Sequence, residues 1–256
     1  IRLTTPPTPQ IVMVLAVEHS KDLIKVLKEF SQGMPLSAFE FFSDLALSKV
    51  LGHRQLKEPF AKRSPFYALL EFDASQVEEA GKAFEVCEKA AWVQDAVLSQ
   101  TENQSRELWQ LREGISESIA SYTPYKNDLS VRIEDVPEFL EEVDTYVANS
   151  YPDFEVCWYG HIGDGNLHLN ILRPEKLSIE NFFELGHEMS PRIFDLVSNK
   201  RGSISAEHGV GLLKKDFLSF TRSEEEIRIM QSIKNIFDPH QILNADKLIP
   251  GRSGTD

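Results

Sequence analysis

The stretch richest in side chains that can do chemistry is Gly160-His161-Ile162-Gly163-Asp164-Gly165-Asn166-Leu167-His168-Leu169-Asn170-Ile171. Three glycines within six residues, interleaved with Asp164 and Asn166, specify a tight turn with positive φ angles. Beyond the turn the pattern alternates: Leu167, Leu169 and Ile171 fall on one side of a strand, His168 and Asn170 on the other. His161 shares parity with Tyr159 and Cys157 on the incoming strand. A hairpin therefore brings His161 and His168 together, with Asn170 beside them. Two imidazoles at a rigid turn suit a divalent transition metal such as zinc. Two histidines hydrogen-bonded within a loop fit the same spacing, because His-x6-His is not a specific signature.

A second stretch reads Gly202-Ser203-Ile204-Ser205-Ala206-Glu207-His208-Gly209-Val210-Gly211. Glu207 could complete two nitrogens and one oxygen around a metal, leaving a position open for substrate. His208 would then stand near the substrate as a general base. The alternative is that Glu207 caps a helix and His208 is exposed. A third stretch, 105–122, reads as a helix with Leu108, Leu111, Ile115 and Ile119 as its buried stripe. Arg112 and Ser116 are four apart and share a different face, and Lys126 follows just beyond. Arginine is the natural bidentate partner of a carboxylate, and lysine adds a second positive point. A solvated helix with surface charges is the alternative.

The elements that must position these residues follow a repeated grammar. Residues 11–17, 66–72, 129–133, 155–161 and 167–172 read as strands. Ser20 begins a helix with Leu23, Ile24, Leu27 and Phe30 on one face. Ser75 with Glu78, Asp135 with Glu138 and Ser223 with Glu226 read as capping boxes. Val77, Ala80, Phe84 and Cys87 form the stripe behind the first box; Val136, Phe139, Val143 and Val147 form that behind the second. A long helix covers 179–199, and the last helix stops before Asp238-Pro239. The expected fold class is α+β: antiparallel sheet with helices packed on one face, a duplicated ferredoxin-like arrangement and a C-terminal helical segment. Residues 1–215 are expected to form the substrate- and metal-binding domain, and 216–256 a helix and tail. The tail after Pro250 reads as disordered.

At 256 residues, 41% hydrophobic and 26% charged, the composition is that of an ordinary globular chain. A net charge of -13 repels nucleic acid, so an anionic substrate needs locally gathered cations. No apolar run approaches the roughly 20 residues of a membrane span. Two cysteines, Cys87 and Cys157, fit a reducing compartment. The opening Ile1-Arg2-Leu3-Thr4-Thr5-Pro6-Pro7 reads as a strand end running into a linker, and no glycine-rich phosphate loop occurs. The expectation is a piece of a longer protein.

Together the three stretches resemble the C-terminal domain of FAD-linked oxidases of the vanillyl-alcohol-oxidase type. Within that group they look most like the D-2-hydroxyglutarate, D-lactate and glycolate dehydrogenases. The motifs are Leu108-Trp109-Gln110-Leu111-Arg112-Glu113, the turn 160–168, Ser205-Ala206-Glu207-His208-Gly209-Val210-Gly211, and Phe237-Asp238-Pro239-His240-Gln241-Ile242-Leu243-Asn244. The resemblance implies zinc or a similar ion on His161, His168 and Glu207, and His208 as catalytic base. It implies Arg112, Ser116, Lys126 and Asn170 as contacts to a small anionic 2-hydroxy acid. FAD would be bound mainly by a preceding half of the protein, on which residues 216–256 would pack, with Asn244 as a cofactor contact.

Three positions depart from the pattern. Asn244-Ala245-Asp246-Lys247 replaces the usual Asn-Pro-Gly-Lys, and Ser116 stands where threonine is common. A homodimer, and a cytoplasmic or, in a eukaryote, mitochondrial location, are further expectations. The competing readings are a non-redox zinc- and anion-binding module and a zinc hydrolase. The hydrolase is the weaker, because no His-Glu-x-x-His carboxylate accompanies the histidines.

Overall fold

Alternation of apolar and polar side chains builds the sheet, and apolar stripes at helical spacing clothe it. The computed structural model describes residues 8–245 and 247–249. In chain order the elements are β1 (Gln10–Val17), α1 (Ser20–Phe30), β2 (Leu36–Ser43), α2 (Asp44–Arg54), β3 (Phe66–Asp73), α3 (Val77–Lys89) and β4 (Asp95–Leu98). There follow α4 (Glu102–Glu113), α5 (Ile115–Ser118), β5 (Tyr125–Ser130), α6 (Val136–Ser150), β6 (Glu155–Gly160) and β7 (Asn166–Leu172). The last three are α7 (Ile179–Asn199), α8 (Gly211–Lys214) and α9 (Glu224–Phe237).

Among the described residues seven strands form one antiparallel sheet in the order β4-β1-β3-β2-β6-β7-β5. The first four strands, with α1 and α3 as crossovers, make one ferredoxin-like unit. β5, α6, β6, β7 and α7 repeat it. The repeat's fourth strand is reduced to one bridge, Ser130 with Ser203. The units join edge to edge where Phe41 pairs with Gly160 and Phe42 with Tyr159. The duplicated arrangement expected from the sequence is therefore present.

The four crossover helices α1, α3, α6 and α7 pack on one face over Leu15, Phe41, Leu70, Leu129, Trp158 and Leu169. The opposite face carries additional helices. There α2, α4 and α5 bury Leu47, Val50, Leu108, Leu111 and Ile115 against Val14, Phe42, Leu69 and Tyr159.

Several local expectations shift. The strand read at 129–133 runs Tyr125–Ser130, because pairing with β7 draws in the polar Lys126-Asn127-Asp128. Strands β2 and β4 and helix α2 were not read from the sequence. The helix read at 105–122 begins after Thr101, whose hydroxyl accepts the Gln104 N–H, and breaks at Gly114. Only the last of the three capping boxes forms. Ser75 instead donates its N–H to Asp73, while Val77 is exposed. Asp135 pairs with Arg132, and Glu138 with Lys200. The tail beyond Pro250 lies outside the described residues. Among the described residues no helix is long and apolar enough to cross a membrane.

One half-buried carboxylate yields a stability prediction. Asp144 on α6 accepts the Trp158 indole N–H at 2.7 Å, and burial pushes its carboxyl up to about 6. A raised carboxyl means that the ionised form costs stability at neutral pH, and the cost vanishes below the unfolded value. Asp144→Asn keeps the acceptor and removes the charge. It should stabilise the protein by about 1–3 kcal/mol at pH 7, with the gain gone near pH 4. Denaturant midpoints at the two pH values check this; equal gains at both would refute it.

Candidate functional site

Strand register alone assembles most of the site. Antiparallel pairing sets Phe42, Tyr159, His168 and Asp128 in one row across β2, β6, β7 and β5. The next row carries Cys157, Asn170 and Lys126. All these side chains share the face that α2, α4 and α5 partly cover. The β6–β7 connection closes through a short 3-10 turn, Ile162–Asp164. Gly165 takes φ +79°, and a Cβ there would overlap the Val131 carbonyl oxygen, so only glycine fits.

This turn carries His161 back over the sheet. Its Nδ1 lies 2.8 Å from Glu40 Oε1, and its Nε2 lies 3.9 Å from Glu207 Oε1. The His161 and His168 rings are 5.4 Å apart. One nitrogen from each histidine and one Glu207 oxygen all lie within 4.8 Å of one another. His168 is largely buried, and its pKa is pushed down to about 4, first by burial and then by Arg112, His161 and His208, against the pull of Asp128. It is a neutral imidazole at physiological pH, with a lone pair to offer. Two imidazole nitrogens and a carboxylate at this spacing suit a zinc-like ion.

Glu207 and His208 can both serve this cavity because the backbone turns there. Asp128 Oδ2 accepts both amide N–H groups, at 2.8 and 3.1 Å, and the Asp128 carbonyl accepts Ala206 N–H at 3.4 Å. Asp128 Oδ1 is buried without a hydrogen-bond partner, 3.7 Å from His168 Nδ1. The His208 ring lies 6.5 Å from that of His168. Lys214 reaches under the turn to the Ile204 carbonyl at 2.6 Å, and burial pushes its pKa down to about 8.

On the other wall Arg112 is 7% exposed, its Nε donating to Glu40 Oε2 at 3.0 Å and its guanidinium 4.8 Å over the Tyr159 ring. Its Nη2 is buried without a partner. Lys126 donates to Ser116 Oγ at 3.1 Å on the exposed rim. Asn170 is buried, and its amide nitrogen is committed to the His168 and Cys157 carbonyls. Asn244 is exposed after α9, at φ 48°, and joins none of these contacts.

The structure thus gathers His161, His168, Glu207, His208, Arg112, Ser116, Lys126 and Asn170 on one face. It adds Glu40, Asp128, Tyr159 and Lys214, which sequence reasoning missed. A charge inside Ala38-Phe39-Glu40-Phe41-Phe42 was a visible signal, as was Asp128 beside Leu129; Lys214 gave none.

The family of FAD linked oxidases, C-terminal domain, matches residues 6–248. The chain belongs to that family. It is 48% identical over 251 residues to a D-2-hydroxyglutarate dehydrogenase of Stutzerimonas stutzeri (strain A1501), covering 97% of this chain and 54% of that protein. A putative mitochondrial D-lactate dehydrogenase of Schizosaccharomyces pombe is 35% identical over 239 residues, 85% of this chain and 44% of that protein. This FAD-linked oxidase domain therefore spans about half the length of the curated relatives it matches. The fold is shared with a 4-ethylphenol oxidase from Gulosibacter chungangensis at TM-score 0.65 and 14% identity, over 96% of this chain and 55% of that one. It is shared with p-cresol methylhydroxylase at the same TM-score and 11% identity, over 95% and 53%.

Asp128 should be the anchor of the Glu207–His208 turn. Hydrogen bonds to a charged group contribute about 1.5–3 kcal/mol, so Asp128→Ala should speed amide exchange at Glu207 and His208 by about tenfold to a hundredfold. Hydrogen exchange resolved at these two amides checks it; unchanged protection would refute the anchoring role.

Proposed function

We propose that this domain is the substrate-binding part of an FAD-dependent D-2-hydroxy acid dehydrogenase that oxidises a 2-hydroxy acid to the 2-oxo acid. The observation that carries this reading is the convergence of His161, His168 and Glu207 within 4.8 Å, with His208 on the same turn. Relatives named for D-2-hydroxyglutarate and D-lactate support the substrate class.

Arg112 and Lys126 supply the local cations that a chain of charge -13 needs to hold an anion. Arg112, fixed through Nε and stacked on Tyr159, keeps its terminal nitrogens for a substrate carboxylate. Lys126 and Ser116 offer a second polar contact at the rim. His208 removes the hydroxyl proton while the C2 hydrogen leaves as hydride. His161, His168 and Glu207 would hold a zinc-like ion, which would supply Lewis acidity toward the hydroxyl. FAD, gripped by the remainder of the polypeptide, would supply the hydride acceptor.

The surface of α9 supports the role of that remainder. This capped helix has no buried residue, and Ile229, Ile233, Ile236 and Phe237 form an exposed apolar face. On this reading α9 packs against the flavin-binding part.

Two pairs of variants test the proposal. Glu207→Gln should cut zinc binding, since an amide is a poor ligand. His208→Asn should keep zinc and slow flavin reduction about 10²- to 10⁴-fold in a polypeptide of full family length. Zinc content and stopped-flow flavin absorbance are the readouts; the reverse pattern would mean the roles are exchanged. Ile233→Glu and Phe237→Ser should change this chain's stability by no more than about 0.5 kcal/mol, yet weaken its association with the flavin-binding part. A loss of stability instead would mean that this face packs within the domain.

A further inference from the structure

Glu40 lies in neither the hairpin nor the Glu207–His208 turn, and it comes from the other ferredoxin-like unit. It is 6% exposed amid Phe39, Phe41 and Phe42, where an apolar side chain would be the default. A buried carboxylate is costly unless both oxygens find strong donors. Here they do: Oε1 meets His161 Nδ1 at 2.8 Å, and Oε2 meets Arg112 Nε at 3.0 Å. The β2–β6 register brings this about, since continuing Phe41↔Gly160 by one step sets Glu40 opposite His161.

We infer that Glu40 is a positioning residue that couples the two halves of the site through one carboxylate. A carboxylate only accepts, so His161 Nδ1 must carry the hydrogen. In that tautomer the ring presents a lone pair on Nε2, the nitrogen that faces Glu207. The other oxygen fixes the rotation of the guanidinium by holding Nε, which leaves Nη2, buried and unpartnered, free for an incoming anion. Outer partners of this kind set the tautomer and orientation of ligating histidines. The inference rests on the metal reading above, and its test separates the two.

Glu40→Gln is nearly isosteric but cannot accept from both neighbours. One of its two terminal atoms is a donor, so it confronts either Arg112 Nε–H or His161 Nδ1–H with a second donor. Zinc alone is the probe, titrated into the chain by calorimetry. Glu40→Gln is expected to weaken zinc binding about tenfold to a hundredfold with an unchanged circular dichroism spectrum. Glu138→Gln, which removes the same charge from a surface pair with Lys200, is expected to stay within about twofold of wild type. If wild type binds no zinc, the metal reading fails on its own. If wild type binds and Glu40→Gln matches it, or Glu138→Gln loses as much, the positioning role is overturned. Should Glu40→Gln not fold, the wild-type ring decides. Long-range ¹H–¹⁵N spectra of ¹⁵N-histidine protein should give His161 as the Nδ1–H tautomer, and an Nε2–H tautomer overturns the inference.

Discussion

Two residue pairs, Phe41 with Gly160 and Phe42 with Tyr159, hold the sheet of one ferredoxin-like unit to that of the other. The Glu40–His161 contact, which joins the two units across the site, depends on that register. Side chains alternate between faces with a period of two, so a slip by one residue would move Glu40 to the helix-packed side and bury Phe41 toward the histidines. The bulky neighbours make such a slip costly. Phe41 is fully buried among the crossover helices, and Phe42 stacks on Tyr67 at 5.4 Å on the opposite side. Apolar packing on both faces thus fixes a polar pairing at the strand end.

Charge around the site is balanced locally. The chain as a whole is strongly acidic, yet Arg112, Lys126 and Lys214 converge on this face with Glu40, Asp128 and Glu207. Glu40 and Arg112 form a buried pair, and removing one partner of such a pair typically costs about 3–5 kcal/mol. The two carboxylates from the sheet each grip two elements. Glu40 joins α4 to the end of β6, and Asp128 joins β5 to the Glu207–His208 turn. Preorganisation of this kind keeps the donor atoms of distant segments within reach of one ligand.

The hairpin with His161, His168 and Asn170 was legible because glycine spacing and strand parity are local properties. The duplicated fold was legible because its crossover helices carry clear stripes, as in Val136, Phe139, Val143 and Val147. Glu40 was not, since its partners lie 72 and 121 residues away and β2 passes for an apolar run with one charge in it. The polar strand β5 was misplaced for a related reason. Lys126 and Asp128 face the site and are polar, which hides the alternation that marks an ordinary strand. Capping boxes failed where a stronger neighbour competed: Asp73 captured the Ser75 N–H, and Lys200 captured Glu138.

The two units are alike in topology and unlike in what covers their second face. In the first unit α2, α4 and α5 seal that face with Leu47, Leu108 and Leu111, leaving an apolar interior. In the second the same face holds Asp128, His168 and Asn170, and the 203–214 segment closes over it, hydrogen-bonded to Asp128 and Ser130. The segment can do so because the repeat's fourth strand shrinks to the single Ser130–Ser203 bridge. A full strand would commit the Glu207 and His208 amides to a ladder and point the two side chains to opposite faces. Freed from that ladder, the backbone turns on Asp128 and delivers both side chains to one cavity. The lost strand pairing is what lets a duplicated structural unit carry a site in one copy and a sealed core in the other.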